Sequence, residues 1–428
     1  MEYTMTQDNR QNHIQSPVIS RDADLTLETV ILLVIGVFML LYGLLQFWIH
    51  TGVLLYTPDG TYGILLVIIS LQIITMGKTP FGTFRRSWML VFIGMSMAII
   101  GTIACFIPGL LTELVRELVG IGLFSGGITL FLQLVILKSK ARLWIRIPGI
   151  LQQLTIACAF VYLTEVILGL VTLFPGITTI TQTAVLYIIC GLSFFYLAWC
   201  IQKASRLYPR QGTPDPAMGS SDTNNDNIKG NLFFFRDASI STPVTIILLL
   251  GVIFILFAIL LVPVSMGIFL LSTDSQYGLL MVIMAIQIMA LGKTPVGAYK
   301  RSWLLILIGL VIVSIGIFSC IVPGLRAGWR LILFGTWNIF AGSVSLSKIV
   351  LPILSGIRNP SAEPVFLSPV FKKLLVTAAL LHLATIMFGI NLLIPGLIPG
   401  LVVLATLFFL GFLFIVLAYL LANLPASE

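Results

Sequence analysis

Residues 62–110 read YGILLVIISLQIITMGKTPFGTFRRSWMLVFIGMSMAIIGTIACFIPGL. Two apolar runs flank a basic loop. The runs do not alternate in polarity, as the strands of a membrane barrel would. Lipid offers the backbone no hydrogen-bond partner, so an apolar run that crosses it must be a helix. The same stretch recurs without a gap at residues 277–325, an offset of 215, and about half of its positions are identical. Met76-Gly77-Lys78-Thr79-Pro80 through Arg85-Arg86-Ser87-Trp88 matches Leu291-Gly292-Lys293-Thr294-Pro295 through Lys300-Arg301-Ser302-Trp303. Gln72 matches Gln287, and Cys105, Pro108 and Gly109 match Cys320, Pro323 and Gly324. Apolar composition alone would not reproduce a polar loop.

Working outward, the whole chain has this character. Of 428 residues, 58% are hydrophobic and 9% are charged, against about a quarter charged in soluble domains. Runs such as Thr29–Trp48, Val244–Val262 and Leu401–Leu421 each hold roughly twenty nearly uncharged positions, enough to cross about 30 Å of hydrocarbon. The pattern predicts an all-α polytopic membrane protein with about twelve transmembrane helices in two parallel six-helix repeats. The expected spans are 29–49, 62–76, 88–107, 113–137, 150–174, 179–201, 243–264, 277–291, 303–322, 329–350, 371–393 and 400–422. The expected organisation is a cytoplasmic tail (1–28), a first membrane repeat (29–202), a cytoplasmic linker (203–242), a second repeat (243–422) and a short C-terminal tail (423–428). The linker is rich in Gly, Ser, Asp, Asn and Pro and cannot bury a core. With six helices per copy, both copies enter the membrane in the same sense. Their axis is then a pseudo-two-fold along the membrane normal.

The net charge of +8 does not point to nucleic acid, because the basic residues sit in short loops. Lys78, Arg85, Arg86, Lys293, Lys300 and Arg301 all fall on one side, and the other side holds only Arg116, Arg326 and Arg330. The positive-inside rule then places both termini in the cytoplasm and the chain in the cytoplasmic membrane. The first apolar run follows a polar tail, so it reads as an uncleaved anchor rather than a signal peptide.

A finer pattern lies inside each half. Ile35-Gly36…Gly43 recurs as Ile93-Gly94…Gly101, and several outer loops carry Pro-Gly: Pro108-Gly109, Pro175-Gly176, Pro323-Gly324, Pro395-Gly396 and Pro399-Gly400. Each half therefore reads as three hairpins dipping out and back. Gly94 with Gly101, Gly122 with Gly126, and Ala341 with Gly342 suit close helix packing. The stretches from Ser87-Trp88 through Phe131 and from Gln152 through Ala198 combine the Ile-Gly-x6-Gly spacing, the Pro-Gly turn and Val119-Gly120-Ile121-Gly122-Leu123-Phe124-Ser125-Gly126. This pattern resembles the HdeD-like membrane proteins, a six-helix family. The resemblance implies a fused double copy and an association with acid or stress tolerance, a role with no assigned chemistry. The Gly-Lys-Thr-Pro loop is no part of that family's pattern.

Candidate functional residues are few. Gly77-Lys78-Thr79 lacks the upstream glycine and strand of a phosphate loop, since Gln72 stands where that glycine should be. The loop reads as a topology-setting basic turn, although retention of Lys78 and Lys293 in both copies exceeds what topology needs. Gln72 and Gln287 lie on the second and eighth spans, which read as short, and paired short helices can mark a transport site. Interhelical hydrogen bonding is the simpler role for both. Glu165 and His382 are ionisable residues within spans, which makes each a candidate. Neither recurs in the other half. The five cysteines form no ligand cluster or disulfide framework, and three histidines without an HExxH or GxSxG motif offer no catalytic set. No catalytic residue, metal or cofactor is expected. The implied partners are the bilayer and, for a subunit, other membrane proteins. Two functions follow: a non-catalytic protein acting through helix packing, or a secondary transporter of major-facilitator-like 6+6 design for an apolar or weakly polar solute.

Overall fold

The computed structural model describes residues 25–75, 87–136, 146, 148–208, 241–268, 272–290, 293–294, 297–298, 303–324, 327–358, 369–394, 397 and 400–423. Twelve long helices account for nearly all of them: α1 Leu27–His50, α2 Pro58–Thr75, α3 Trp88–Phe106, α4 Thr112–Ile136, α5 Ile150–Leu173, α6 Ile180–Leu207, α7 Thr242–Ser265, α8 Thr273–Ala290, α9 Trp303–Ile321, α10 Ala327–Arg358, α11 Pro369–Leu393 and α12 Gly400–Ala422. Eleven are long and apolar enough to cross a membrane. The protein is a polytopic helical membrane protein. In α8 the polar first turn, Thr273-Asp274-Ser275-Gln276, dilutes an otherwise apolar helix. The basic loop of the second half contains a two-residue antiparallel pairing, β1 Lys293–Thr294 with β2 Gly297–Ala298. Lys78 and the loop around it, most of the linker, and Pro395-Gly396 lie outside the described residues.

Local chemistry fixes the helix starts. The Thr26 hydroxyl accepts from the Thr29 N–H, and the Ser87 hydroxyl accepts from the Leu90 N–H. Thr179 and Gln182 form a reciprocal capping box at α6. Each arrangement satisfies backbone donors that a helix leaves unpaired. The second and eighth helices are longer than their apolar runs. Both extend to 18 residues by adding a polar first turn that contains Asp59 or Asp274.

The pairing of helices corrects the hairpin reading for the first two hairpins of each half, whereas the third, α5 with α6 and α11 with α12, does pack together. The most intimate pairs are α1 with α6, α2 with α3 and α4 with α5, repeated as α7 with α12, α8 with α9 and α10 with α11. The Pro-Gly turn after α3 joins helices that barely touch. The glycines explain the choice, because a helix packs closest where a neighbour lacks a side chain. A methyl group on Gly63 of α2 would lie 2.7 Å from the Gly101 carbonyl of α3, and one on Gly278 of α8 would lie 2.5 Å from the Gly316 carbonyl of α9. Gly36 meets Gly191 across α1 and α6, as Gly251 meets Gly411 across α7 and α12. Gly127 packs on Tyr162 and Val166, as Gly342 packs on His382 and Ile386. These contacts repeat at an offset of 215 through the fourth helix of each set and 220 in the last two. Gly126 has no neighbour close to where its side chain would be, so the Gly122–Gly126 pair is not a packing surface.

In the first set, α1, α6, α5, α4 and α2 form a ring, with α3 packed on the outside of α2. In the second set α10 barely reaches α8. The two sets meet through α1–α3 and α7–α9: α1 lies on α9 and α7 on α3, while α2 touches α9 and α3 touches α8. This is the reciprocal exchange expected of a pseudo-two-fold seam.

Candidate functional site

The seam between the two sets is filled. The Thr57 N–H donates to the Ile321 carbonyl at 3.0 Å, and the Ser272 N–H donates to the Phe106 carbonyl at 3.0 Å, the same bond at an offset of 215. The Thr57 hydroxyl donates to the Cys320 carbonyl at 2.9 Å. The Cys105 thiol donates to the Gly60 carbonyl and the Cys320 thiol to the Ser275 carbonyl, and the two thiols meet each other. Phe106 stacks edge-on against Phe257 with ring centroids 4.0 Å apart. The first set adds a tyrosine cluster. The Tyr42 and Tyr56 hydroxyls lie 3.1 Å apart, and Tyr187 stands edge-on to Tyr42. Burial pushes the Tyr56 phenol well above its ordinary range, so it stays neutral and serves as a hydrogen-bonding group.

A polar site does exist, but within one half. A cavity of about 70 Å³ occupies the centre of the α1–α2–α4–α5–α6 ring. Glu165 of α5, Gln72 of α2 and Glu28 of α1 reach it, with Tyr162, Phe194 and Leu197 among the other walls. Glu165 is 3% exposed. The Gln72 amide is its hydrogen-bonding neighbour. An isolated charge in such a place is costly, so a buried carboxylate is held neutral or paired with a cation. No Lys, Arg or His stands among the described residues that line the cavity. An acid in an apolar cage without a basic partner can bind a proton or a small cation.

Two of the sequence candidates, Gln72 and Glu165, thus come together. Gln287 sits at the matching place on α8, with its amide nitrogen buried and without a hydrogen-bond partner among the described residues. His382 is half-buried on α11 and does not line the cavity. By the glycine contacts it occupies the position of Tyr162, and Thr385 that of Glu165. The acidic chemistry is therefore confined to the first half. Lys78 is outside the described residues, and of Lys293 only the backbone pairing is described. Among the described residues no cluster of His, Cys, Asp and Glu could hold a metal.

Sequence reasoning passed over three features. Glu28 was assigned to the tail, yet it lies in the first turn of α1 and faces the cavity. Asp59 and Asp274 hold the Pro-Gly turns, accepting from the Gly109 N–H at 3.1 Å and the Gly324 N–H at 2.8 Å. Their common offset of 215 was the available signal. The third is Arg330, counted only as a loop charge. It is 1% exposed, pairs with Asp274 and donates to the Ser319 hydroxyl at 2.8 Å. Arg116 pairs with Glu113 at 2.7 Å in the first turns of α4. The chain matches no protein-family model, no curated protein and no solved structure.

Proposed function

We propose that this polytopic membrane protein is non-catalytic and acts through helix packing. It serves as an accessory subunit of a membrane assembly or as an HdeD-like stress-tolerance factor. In this reading it is a fused double copy in the cytoplasmic membrane, with both termini cytoplasmic. The observation that carries the proposal is an asymmetry between the two sets. Only 11% of the most apolar stretch of α10 is buried, against 33% for α4. In the first set α4 closes on α2, whereas α10 hardly meets α8. Ile332, Phe340 and Leu351 are left exposed along α10, a face on which a further membrane helix fits by close packing. Native mass spectrometry of protein extracted in mild detergent tests this. A stable complex with a second membrane protein, weakened by Phe340→Ala with Leu351→Ala, is the expected result. A lone monomer that supports solute flux in proteoliposomes sinks it.

A secondary transporter is the second reading, favoured by the Glu165 cavity. The filled seam argues against a substrate path between the halves of the major-facilitator kind, so a path would have to run through the first ring alone. Solute flux that survives blockage of the seam by Cys105–Cys320 cross-linking, and stops with Glu165→Gln, would favour this reading.

A further inference from the structure

We propose that the cavity lined by α1, α2, α4, α5 and α6 binds a small organic ammonium ion, which takes the place of the proton on Glu165. The inference holds whether the chain is an accessory subunit or a transporter, because it concerns what the first ring binds.

Ile31, Leu32, Leu130, Val161, Phe194 and Leu197 are among the apolar residues that dominate the lining. Such walls solvate an alkyl group well and a bare metal ion poorly, since a hard cation needs several oxygen ligands. A single fully buried carboxyl, Glu165, supplies the countercharge. Gln72 orients it, and Phe194 and Tyr162 add aromatic rings of the kind that favour ammonium groups. Among the described residues, the titratable groups facing Glu165 are Glu28, Cys158, Tyr162 and Cys190, and none of these carries positive charge. Glu28 lies in the first turn of α1, at the end of the ring that leads to the basic loops. The volume of about 70 Å³ is some five times the roughly 10–15 Å³ that one water needs, which suits a cation of about five non-hydrogen atoms.

The Glu165 carboxyl O–H bond breaks, its proton leaves to solvent, and the ammonium group donates hydrogen bonds to the carboxylate. One positive charge enters and one leaves, so the net charge of the cavity is unchanged. Proton and ammonium therefore compete, and the apparent affinity falls as pH falls, by about tenfold per unit where Glu165 is protonated.

Isothermal titration calorimetry of the full chain in detergent tests the proposal with n-butylammonium as the probe. Titration in buffers of different ionisation enthalpy reads proton release. The expected result is saturable binding with one proton released per cation in the range where Glu165 is protonated. Binding is lost in Glu165→Gln, and n-butanol and sodium neither bind nor compete. Leu197→Trp fills the cavity with the carboxyl intact and is expected to lose the probe as well, so a Gln variant that fails to fold leaves the test standing. Absence of saturable binding in the wild type overturns the proposal. So does unchanged binding in both variants, and so does sodium displacing the probe on equal terms, which would make this an inorganic-cation site.

Discussion

Asp59 and Asp274 hold the same turn with different partners. Each accepts the N–H of the glycine in a Pro-Gly turn, where Gly109 and Gly324 have φ of 82° and 83°. The other oxygen of Asp59 takes the Thr112 hydroxyl, whereas that of Asp274 takes the Arg330 guanidinium. The consequences of removal differ accordingly. Asp59→Ala leaves neutral donors and is expected to cost about 1–3 kcal/mol. Asp274→Ala strips the carboxylate from a buried cation and is expected to cost about 3–5 kcal/mol. Thermal unfolding of the purified variants ranks them, and equal losses would show that the guanidinium is satisfied without the acid. Glycines give a second comparison. A methyl group on Gly60 would lie 2.2 Å from the Cys320 carbonyl across the seam, while one on Gly126 meets nothing. Gly60→Ala is expected to destabilise by about 1–3 kcal/mol or more because backbone must move. Gly126→Ala is expected to be neutral or slightly stabilising, since alanine is the better helix former. The same unfolding measurement checks both.

At the scale of elements, α8 makes the sharpest prediction. Its composition alone places it below the other eleven helices as a span, yet it pairs with α9 through Gly278 and Gly316 just as α2 pairs with α3 through Gly63 and Gly101. It is therefore expected to cross the membrane. In a cysteine-free background, a cysteine at Met266, before α8, and one at Lys293, after it, are expected to label with an impermeant maleimide from opposite sides. Labelling from one side would make α8 re-entrant and break the alternation of the basic loops. Most of this level was legible beforehand. Trp88–Phe106 and Gly400–Ala422 fall almost on the expected 88–107 and 400–422, because hydropathy reports directly on the cost of leaving water. The polar first turns of α2 and α8 were not legible, because Asp59 and Asp274 read as loop until Gly109 and Gly324 are seen bonded to them. The partner of each helix was not legible either. The spacing of Gly36 and Gly43 says that α1 has a close-packing face, but nothing in it says that α6 and not α2 fills that face. For the same reason Glu165 and Gln72 could be nominated singly but not joined, since they lie on α5 and α2, helices distant in sequence that meet only around the ring.

The whole molecule behaves, in this architecture, as a dimer whose two members happen to share a chain. Its seam uses each contact twice: Thr57 with Ile321 and Ser272 with Phe106, α1 on α9 and α7 on α3. If these contacts hold the halves together, the linker serves only to keep them at high local concentration. Residues 1–224 and 225–428 expressed as separate chains are then expected to co-purify. The seam's largest buried ring is the place to weaken the association. Phe106 is fully buried and lies edge-on to Phe257 across the seam. Phe106→Ala removes that stacking and leaves a cavity, a loss of about 3 kcal/mol or more, which corresponds to roughly a hundredfold weaker association or more. Phe388→Ala is the matched control, because Phe388 stacks on Phe334 within the second set alone. It is expected to lower the melting temperature of the intact chain while leaving the two fragments associated. Equal loss of association in both variants would mean that any cavity loosens the bundle, and the seam would then be no more than ordinary core. Loss in Phe106→Ala alone would establish that two self-contained helix sets meet at a true interface. That outcome is what allows the first set to carry the acidic cavity in its ring while the second set, with His382 and Thr385 in the matching positions, keeps an open face along α10.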